Sequence, residues 1–69
     1  MGDARLGSRL KAVRTEAGLT QAELAERAGV SRKTINTVEN GVFIPSTVLA
    51  LKLARALSTN VEVLFQLPD

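Results

Sequence analysis

Cysteine, histidine, tryptophan and tyrosine are all missing from this chain of 69 residues. Without cysteine or histidine it offers no thiolate nucleophile and none of the ligands on which zinc and iron–sulfur sites usually depend. Its seven acidic residues are scattered and lack the paired spacing of metal ligands. We therefore expect no cofactor, no metal site and no enzymatic activity.

Long apolar runs are missing as well. No stretch of about 20 apolar residues could span a bilayer, and the charged first residues are not followed by the apolar segment of a signal peptide. We expect a cytoplasmic protein that does not contact a membrane. A chain of this length has room for one domain, residues 1–69, with a modest core and no evident pocket for a small-molecule ligand.

Aromatic residues are rare, since Phe43 and Phe65 are the whole set although 45% of the residues are hydrophobic. No run of alternating β-branched residues is long enough to predict a strand. This aliphatic, alanine-rich composition favours an all-α bundle.

The charge balance is only mildly basic, because nine Lys and Arg residues against seven Asp and Glu residues leave a net charge of +2. That total is weak evidence for a nucleic-acid partner. Most of the basic residues lie in the first half of the chain, at Arg5, Arg9, Lys11, Arg14, Arg27, Arg32 and Lys33. Four of them could form a stripe facing DNA phosphates: Arg9, Arg27, Arg32 and Lys33. Arg5 and Lys11 could equally be solvated charges.

The centre of the chain has the pattern of two short capped helices joined by a turn. Thr20 and Glu23 have the spacing of a capping box, which predicts a helix over Gln21–Ala28. Gly29 can adopt the left-handed conformation that ends a helix, and a second helix is predicted over Arg32–Glu39. Two helices joined by a short turn with glycine are the signature of a helix-turn-helix.

The second of these helices carries a polar outer face. Ile35 and Val38 fall on one side and are predicted to point into the core. The residues on the opposite side and at the start of the helix can all form hydrogen bonds: Ser31, Arg32, Lys33, Asn36 and Thr37. These residue types match the base edges of the DNA major groove, so they are the candidate base contacts. The alternative is an ordinary solvated helix surface.

Three further helices complete the predicted architecture. The first is expected over about residues 4–17, the fourth over 47–57 after Pro45 with Ser46 as its cap, and a short fifth helix through Phe65, capped by Asn60 or Thr59. The apolar residues expected to face the core are Leu6, Leu10 and Val13 in the first helix and Leu49, Leu53 and Leu57 in the fourth.

Three motifs with their separations resemble the Cro/cI-type helix-turn-helix family of phage repressors, also called the Xre family. They are Gly18-Leu19-Thr20-Gln21, Val30-Ser31-Arg32 and Glu39-Asn40-Gly41, followed by Pro45-Ser46 and the alanine- and leucine-rich segment 50–57. The resemblance covers about residues 5–65. It implies a five-helix lambda-repressor-like DNA-binding domain in which helices 2 and 3 form the helix-turn-helix. The implied function is sequence-specific binding of double-stranded DNA and control of transcription, as a repressor.

The resemblance also implies roles for single residues. Gln21 and Asn40 would contact DNA phosphates, which position a protein without reading sequence. Thr20 at the start of helix 2 and the basic Arg9 and Arg27 complete that expected phosphate set. The residues listed above on the polar face of helix 3 would contact base edges. Arg14 would pair with Glu39, and the position of both beside core residues independently predicts that they meet.

The sequence departs from the family pattern after Glu39-Asn40-Gly41. Where relatives usually have a basic or polar residue, this chain has Val42, Phe43 and Ile44, so one phosphate contact is in doubt. An exposed apolar patch indicates an interface, and a homodimer is expected to form through Val42, Phe43, Ile44, Val61, Leu64 and Leu67. The alternative is that Phe43, Ile44 and Leu64 close the core. The family also often has a polar residue at the position of Val48 and glycine at that of Ser58.

A homodimer would read two half-sites of an inverted-repeat operator. A function of another class is a helical adapter that binds a protein through Val42, Phe43 and Ile44, with weak or no DNA binding. Within the DNA-binding class, the sequence leaves open a phage repressor, an antitoxin, a restriction-modification controller or part of a longer regulator.

Overall fold

The computed structural model describes residues 6–42 and 44–67 of the chain. In these residues, five helices and two very short strands follow one another in this order: β1 (Gly7–Ser8), α1 (Leu10–Glu16), α2 (Gln21–Ala28), α3 (Arg32–Glu39), α4 (Thr47–Ala56), α5 (Val61–Leu64) and β2 (Phe65–Gln66). Helix α2 packs against α3 and α4, α1 packs against α3, and α4 packs against α5. This arrangement confirms the predicted all-α five-helix class.

The core is aliphatic and draws on every helix. Its fully buried large side chains are Leu10, Leu24, Ile35, Val38, Leu53 and Leu64. Alanines of α2 and α4 are also buried and belong to the same core cluster. Three further residues expected in the core, Val13, Leu49 and Leu57, are partly buried and pack against its edge. Because shielding an aliphatic side chain contributes about 1.5–3 kcal/mol, these few residues supply most of the driving force for folding.

Side-chain caps define where α2, α3, α4 and α5 begin. The capping box is complete, because the Glu23 backbone N–H donates to Thr20 Oγ1 at 3.0 Å and the Thr20 N–H donates to Glu23 Oε1 at 2.8 Å. Three later helices are capped by the residue before them, whose side-chain oxygen accepts a backbone N–H three residues on: Ser31 from Thr34, Ser46 from Leu49, and Asn60 from Val63. Helix α2 ends at Gly29, whose φ is +73°. These local signals confirm the predicted bounds of α2 and α3.

The capping box gives the stability a specific pH dependence. Hydrogen bonding by the Thr20 backbone N–H, then by the Thr20 side chain, together with the nearby Arg27 charge, holds the pKa of Glu23 below its usual value. A carboxyl whose folded pKa is depressed contributes stability that is present above the unfolded pKa and is lost as the pH falls through the folded pKa. Glutamine at this position keeps the capping geometry without the titration. We expect the melting temperature of Glu23→Gln to fall less between pH 7 and pH 3 than that of the unchanged protein.

The matched control is Glu26→Gln on the same helix, which removes a carboxylate outside the capping box. Thermal unfolding followed by circular dichroism measures all three proteins. An identical pH dependence for Glu23→Gln and the unchanged protein would contradict the assignment.

The start of α1 differs from the prediction. The helix begins at Leu10 rather than near residue 4, and positions 4 and 5 lie outside the described residues. The segment Gly7–Ser8 instead pairs antiparallel with Phe65–Gln66, and the Arg9 N–H donates to the Leu64 carbonyl at 2.8 Å. No alternating pattern in the sequence predicts these two-residue strands, because they form by pairing between segments more than 50 residues apart, which satisfies this backbone in place of a helical turn.

The ends of the last two helices are slightly shorter than expected. Helix α4 ends at Ala56, one residue before the predicted end, and Phe65 belongs to β2 rather than to α5. Phe65 is nevertheless buried and joins the core. Leu6 lies before β1, outside any helix, and packs partly buried against the same core.

Ser58, just after α4, adopts a left-handed conformation with φ of 54°. In the folded protein, this conformation brings Cβ close to the following carbonyl oxygen and costs about 1–2 kcal/mol. Glycine has no Cβ and avoids this strain, but it gives the unfolded chain more conformational entropy, which lowers stability by about 0.4–1 kcal/mol. We expect Ser58→Gly to raise the free energy of unfolding by about 0.5–1 kcal/mol, measured by urea denaturation. Ser58→Ala keeps the Cβ and should show no such gain. Equal effects of the two substitutions would mean that the backbone at this position is not strained.

Candidate nucleic-acid interface

The turn between α2 and α3 fixes the two helices as one unit. The Val30 N–H donates to the Ala25 carbonyl at 3.0 Å and the Gly29 N–H donates to the Glu26 carbonyl, so two of the carbonyls in the last turn of α2 are satisfied. Ile35 and Val38 then insert into the core from α3. This anchoring directs the opposite side of α3 outward.

The outward side of α3 is polar, as the sequence indicates. Arg32, Lys33 and Asn36 are exposed, while Thr37 is half-buried. The Thr37 hydroxyl donates to the Thr34 carbonyl at 3.0 Å, so its proton is already used within the helix. What Thr37 can still present outward is its methyl group and the free lone pairs of its oxygen.

Two predicted contact residues are joined to each other at the end of α3. Asn40 Nδ2 donates to Asn36 Oδ1 at 3.0 Å, and both residues are exposed. Asn36 was expected to contact a base and Asn40 a phosphate. Each amide retains further hydrogen-bonding capacity, because this bond uses one of the two Asn40 donors and one of the Asn36 lone pairs.

Ser31 is committed to capping α3. Its Oγ accepts the Thr34 N–H at 3.1 Å and lies 2.9 Å from Thr34 Oγ1. A contact between Ser31 and a base would have to use the hydroxyl capacity that remains after these two bonds.

Below this polar surface, α1 and α3 are joined by a nearly buried ion pair between Arg14 and Glu39. Arg14 Nε and Nη2 donate to the two carboxylate oxygens of Glu39, at 2.5 and 3.2 Å. The remaining Arg14 Nη1 donates to the Leu19 carbonyl at 2.8 Å. The side chains are 9% and 1% exposed, respectively. The structure thus brings together the two residues that the sequence pairs, in a fork geometry that suits a desolvated charge pair.

Gln21 connects the ion pair to the polar surface. Its side chain is half-buried; Nε2 donates to Glu39 Oε1 at 3.0 Å and Oε1 accepts from Arg32 Nε at 3.5 Å. Sequence reasoning assigned Gln21 a phosphate contact and did not foresee either of these bonds. Gln21 and Arg32 are eleven residues apart in sequence. No local pattern predicts their contact, because it depends on how α2 and α3 pack.

The other expected phosphate contacts lie around this unit. Thr20 is exposed at the start of α2 and Arg27 is exposed in its last turn. Arg9 is exposed immediately before α1. In the described residues, no buried side-chain nitrogen or oxygen lacks a hydrogen-bond partner, so the polar groups still available to a ligand are on the surface.

The predicted dimer surface needs one correction. Leu64 is 0% exposed and belongs to the core, so it cannot contact a partner chain. Val42, Ile44 and Leu67 are 69%, 61% and 85% exposed, Val61 is half-buried, and Phe43 lies outside the described residues. For Leu64, the alternative of closing the core is correct, whereas Ile44 does not close the core.

Helix α4 adds apolar surface that sequence reasoning did not assign to a dimer. Val48 and Leu51 are 62% and 57% exposed. Leu51 lines a shallow depression together with Val61 and Leu67. The signal available in the sequence was the apolar Val48 at a position where the family is often polar.

Comparison with known proteins gives a family for this arrangement. The family model described as helix-turn-helix matches residues 10–64. An uncharacterized HTH-type transcriptional regulator of Methanothermobacter thermautotrophicus is 51% identical over 57 residues, which are 81% of this chain and 83% of that protein. The restriction-modification controller protein C.AhdI from Aeromonas hydrophila has a similar structure, with a TM-score of 0.76 and 41% identity over 78% of this chain and 82% of the controller. A chain of the SinR–SinI complex matches with a TM-score of 0.75 and 32% identity, over 80% of this chain and 54% of that one.

The chain belongs to the Cro/cI-type helix-turn-helix family, also called the Xre family. It has the DNA-binding fold of transcriptional regulators, and its relatives are regulators rather than enzymes. Among residues 6–42 and 44–67, no helix has both the length and the apolar character needed to cross a membrane.

Proposed function

We propose that this protein is a sequence-specific DNA-binding repressor that inserts α3 into the major groove. The observation that carries this proposal is the exposed polar side of α3, held outward by Ile35 and Val38 in the core. Arg32 and Lys33 can donate to guanine O6 and N7, and Asn36 can pair with adenine. Ser31 and Thr37 contribute through the hydrogen-bonding capacity that remains after their bonds within α3, and Thr37 also through its methyl group.

Phosphate contacts would set the position of α3 in the groove. We assign them to Thr20, Gln21 and Asn40, with the exposed charges of Arg9 and Arg27 adding attraction. The first turn of α2 also presents backbone N–H groups, which favour an anion. Repression would follow from occupancy of an operator that overlaps or adjoins a promoter, in the cytoplasm where that DNA lies.

The proposal includes a homodimer on an inverted repeat. One domain of this size covers few base pairs, whereas two copies related by a two-fold axis read two half-sites and multiply their discrimination. The exposed Val42, Ile44 and Leu67, with Val61 at their edge, provide apolar surface for the dimer contact. Phe43 remains part of the predicted surface.

Selection of bound sites from a random duplex library at about 150 mM salt tests the proposal. Enrichment of an inverted repeat with half-sites about 10 base pairs apart would support a dimeric operator-binding regulator. Enrichment of a single half-site would retain DNA binding and reject the dimer. Failure of the folded chain to enrich any sequence would reject DNA binding and favour the adapter, for which the exposed Val42 and Ile44 are the supporting observation.

Single substitutions then separate reading from positioning. We expect Lys33→Ala to weaken the cognate site by about 1–3 kcal/mol and to relax preference at one base pair. Arg27→Ala should weaken all sequences about equally, because a phosphate contact carries no base information. Binding isotherms on cognate and scrambled duplexes measure both. If both variants lost affinity for the cognate and the scrambled duplexes in the same proportion, the assignment of α3 as the helix that reads bases would be contradicted.

A further inference from the structure

The end of α3 carries an asparagine that is followed directly by glycine, at Asn40 and Gly41. A backbone nitrogen can attack the side-chain amide carbon of an asparagine that precedes it. Glycine leaves that nitrogen open because it has no Cβ, whereas a β-branched residue shields it. The two other asparagines of the chain precede β-branched residues, in the pairs Asn36-Thr37 and Asn60-Val61. Asn40 is therefore the asparagine with the most accessible attacking nitrogen.

The surroundings of Asn40 leave room for this reaction. Asn40 is exposed, and a Cβ placed on Gly41 would meet no heavy atom within 4 Å. The turn itself does not depend on asparagine, because Ala17 occupies the same place before Gly18 at the end of α1. The φ and ψ angles are −79° and −3° at Ala17, against −87° and 1° at Asn40. The amide of Asn40 is thus a chemical feature of this turn rather than a requirement of its backbone.

The cap of α3 restrains the reaction in the folded protein. The Gly41 N–H donates to the Val38 carbonyl at 3.2 Å and the Val42 N–H donates to the Thr37 carbonyl at 2.9 Å, which are the two bonds of a Schellman motif. Ring closure requires the Gly41 nitrogen beside Asn40 Cγ, whereas a ψ of 1° places it beside the backbone nitrogen of Asn40. The cap must therefore open before the nitrogen can attack, and helix ends open more readily than cores.

We propose that Asn40 is a modification site at which spontaneous deamidation inactivates the recognition helix α3. The Gly41 nitrogen gives up its proton and bonds to Asn40 Cγ, while the Cγ–Nδ2 bond breaks. Nδ2 leaves with its two hydrogens and that proton as ammonia. Water then adds to either carbonyl carbon of the cyclic imide, breaks one C–N bond and returns a proton to the nitrogen. The products are aspartate and isoaspartate, and water is the only co-reactant.

Either product changes the end of α3 in the same direction. Asn40 Nδ2, which donates to Asn36 Oδ1 at 3.0 Å, is lost. A carboxylate appears at the negative end of the helix dipole, where it is destabilising. Isoaspartate also lengthens the backbone by one carbon inside the cap. The new charge lies where the proposed function places a DNA phosphate, so the effect on DNA binding rests on that function, whereas the chemical step does not.

Ageing of the full chain tests the chemical step. Peptide mapping by mass spectrometry follows the conversion of each amide to an acid at neutral and mildly alkaline pH, with and without urea. We expect conversion to be concentrated at Asn40 and to give both products. It should be faster at alkaline pH, because the nitrogen must lose a proton, and faster in urea, because the cap opens. Conversion no faster at Asn40 than at Asn36 and Asn60 would overturn the site, and equal rates with and without urea would overturn control by the cap.

DNA binding tests the consequence. Asn40→Asp carries the charge of the product, and the matched control Asn40→Ala keeps the turn, as Ala17 does, without adding a charge. We expect Asn40→Asp to lose about tenfold or more in affinity for every duplex, and Asn40→Ala to lose less. A saturating amount of the selected duplex should slow conversion in the unchanged protein. Full affinity of Asn40→Asp, or conversion that the duplex does not slow, would overturn inactivation at the DNA interface.

Two controls keep the outcomes separate. Thermal unfolding reports whether both variants fold. If Asn40→Asp does not fold, aged and fresh samples of the unchanged protein, separated by ion exchange, supply the same affinity comparison. Fresh protein that binds no duplex would reject the proposed function, and with it the inactivation. The mass-spectrometric comparison of Asn40 with Asn36 and Asn60 would still decide the modification site.

Discussion

Arg14→Ala is expected to destabilise the domain by about 3–5 kcal/mol, because it leaves a buried carboxylate without its counter-charge. Arg14 supplies two donors to Glu39 and a third to the Leu19 carbonyl. With the Glu39 side chain only 1% exposed, water can replace few of these bonds in the folded state. A single core in a chain this small rarely provides more than about 3–5 kcal/mol, so the variant should be largely unfolded at room temperature.

Urea denaturation of three variants tests the origin of this loss. Arg9→Ala removes an exposed charge immediately before α1 and should change the free energy of unfolding by no more than about 0.5 kcal/mol. The double variant Arg14→Met with Glu39→Leu removes both buried charges and should recover much of the stability lost in Arg14→Ala. A loss below about 1 kcal/mol in Arg14→Ala would mean that the pair behaves as a solvated surface ion pair.

Affinity for the operator is expected to fall by roughly 10³–10⁵ between 50 and 200 mM salt, if about 6–10 phosphates are contacted. Each phosphate that is neutralised releases a condensed counterion, so binding becomes weaker as bulk salt rises. The exposed basic residues assigned to phosphates, Arg9 and Arg27 of each copy, are the main candidates for the charged contacts. Fluorescence anisotropy titrations over a series of salt concentrations give the slope of log affinity against log salt concentration directly.

Variants assign that slope to particular residues. Arg27→Ala should reduce its magnitude by about 1, because one phosphate contact is removed. The control is Lys52→Ala, an exposed charge on α4 outside the helix-turn-helix, which should leave the slope unchanged. Affinity that does not vary with salt would reject the proposed mode of binding, and an equal effect of both variants would indicate a general charge effect rather than a defined contact.

The residues that cap the helices explain why so much of the fold is predictable. Thr20, Ser31, Ser46 and Asn60 each accept a backbone N–H within three residues, so their bonds depend on local sequence alone. Gly29 ends α2 by its own conformational freedom. The bounds of α2 and α3, and the polar outer side of α3, follow from these short-range preferences and from helical periodicity.

The start of α1 and the place of Leu64 could not be predicted in this way. Helical periodicity favours a first helix that includes Leu6, but Gly7–Ser8 pairs with Phe65–Gln66 from the other end of the chain. Leu64 lies among apolar neighbours in sequence, such as Val63, which is 40% exposed while Leu64 is fully buried. Which of two adjacent apolar residues faces the core of a four-residue helix depends on how that helix packs.

For the candidate site, the sequence by itself determined the residue types: a polar α3 surface and the pairing of Arg14 with Glu39. Only the tertiary structure decided how Gln21 is used, because its bonds to Glu39 and Arg32 span 18 and 11 residues. Helix caps bond to backbone groups within three residues, and amphipathic faces follow from the spacing of apolar residues along a helix. Both are therefore set by neighbours along the chain. A side chain that bridges two helices acquires its partners only when those helices pack, so its role is a property of the fold.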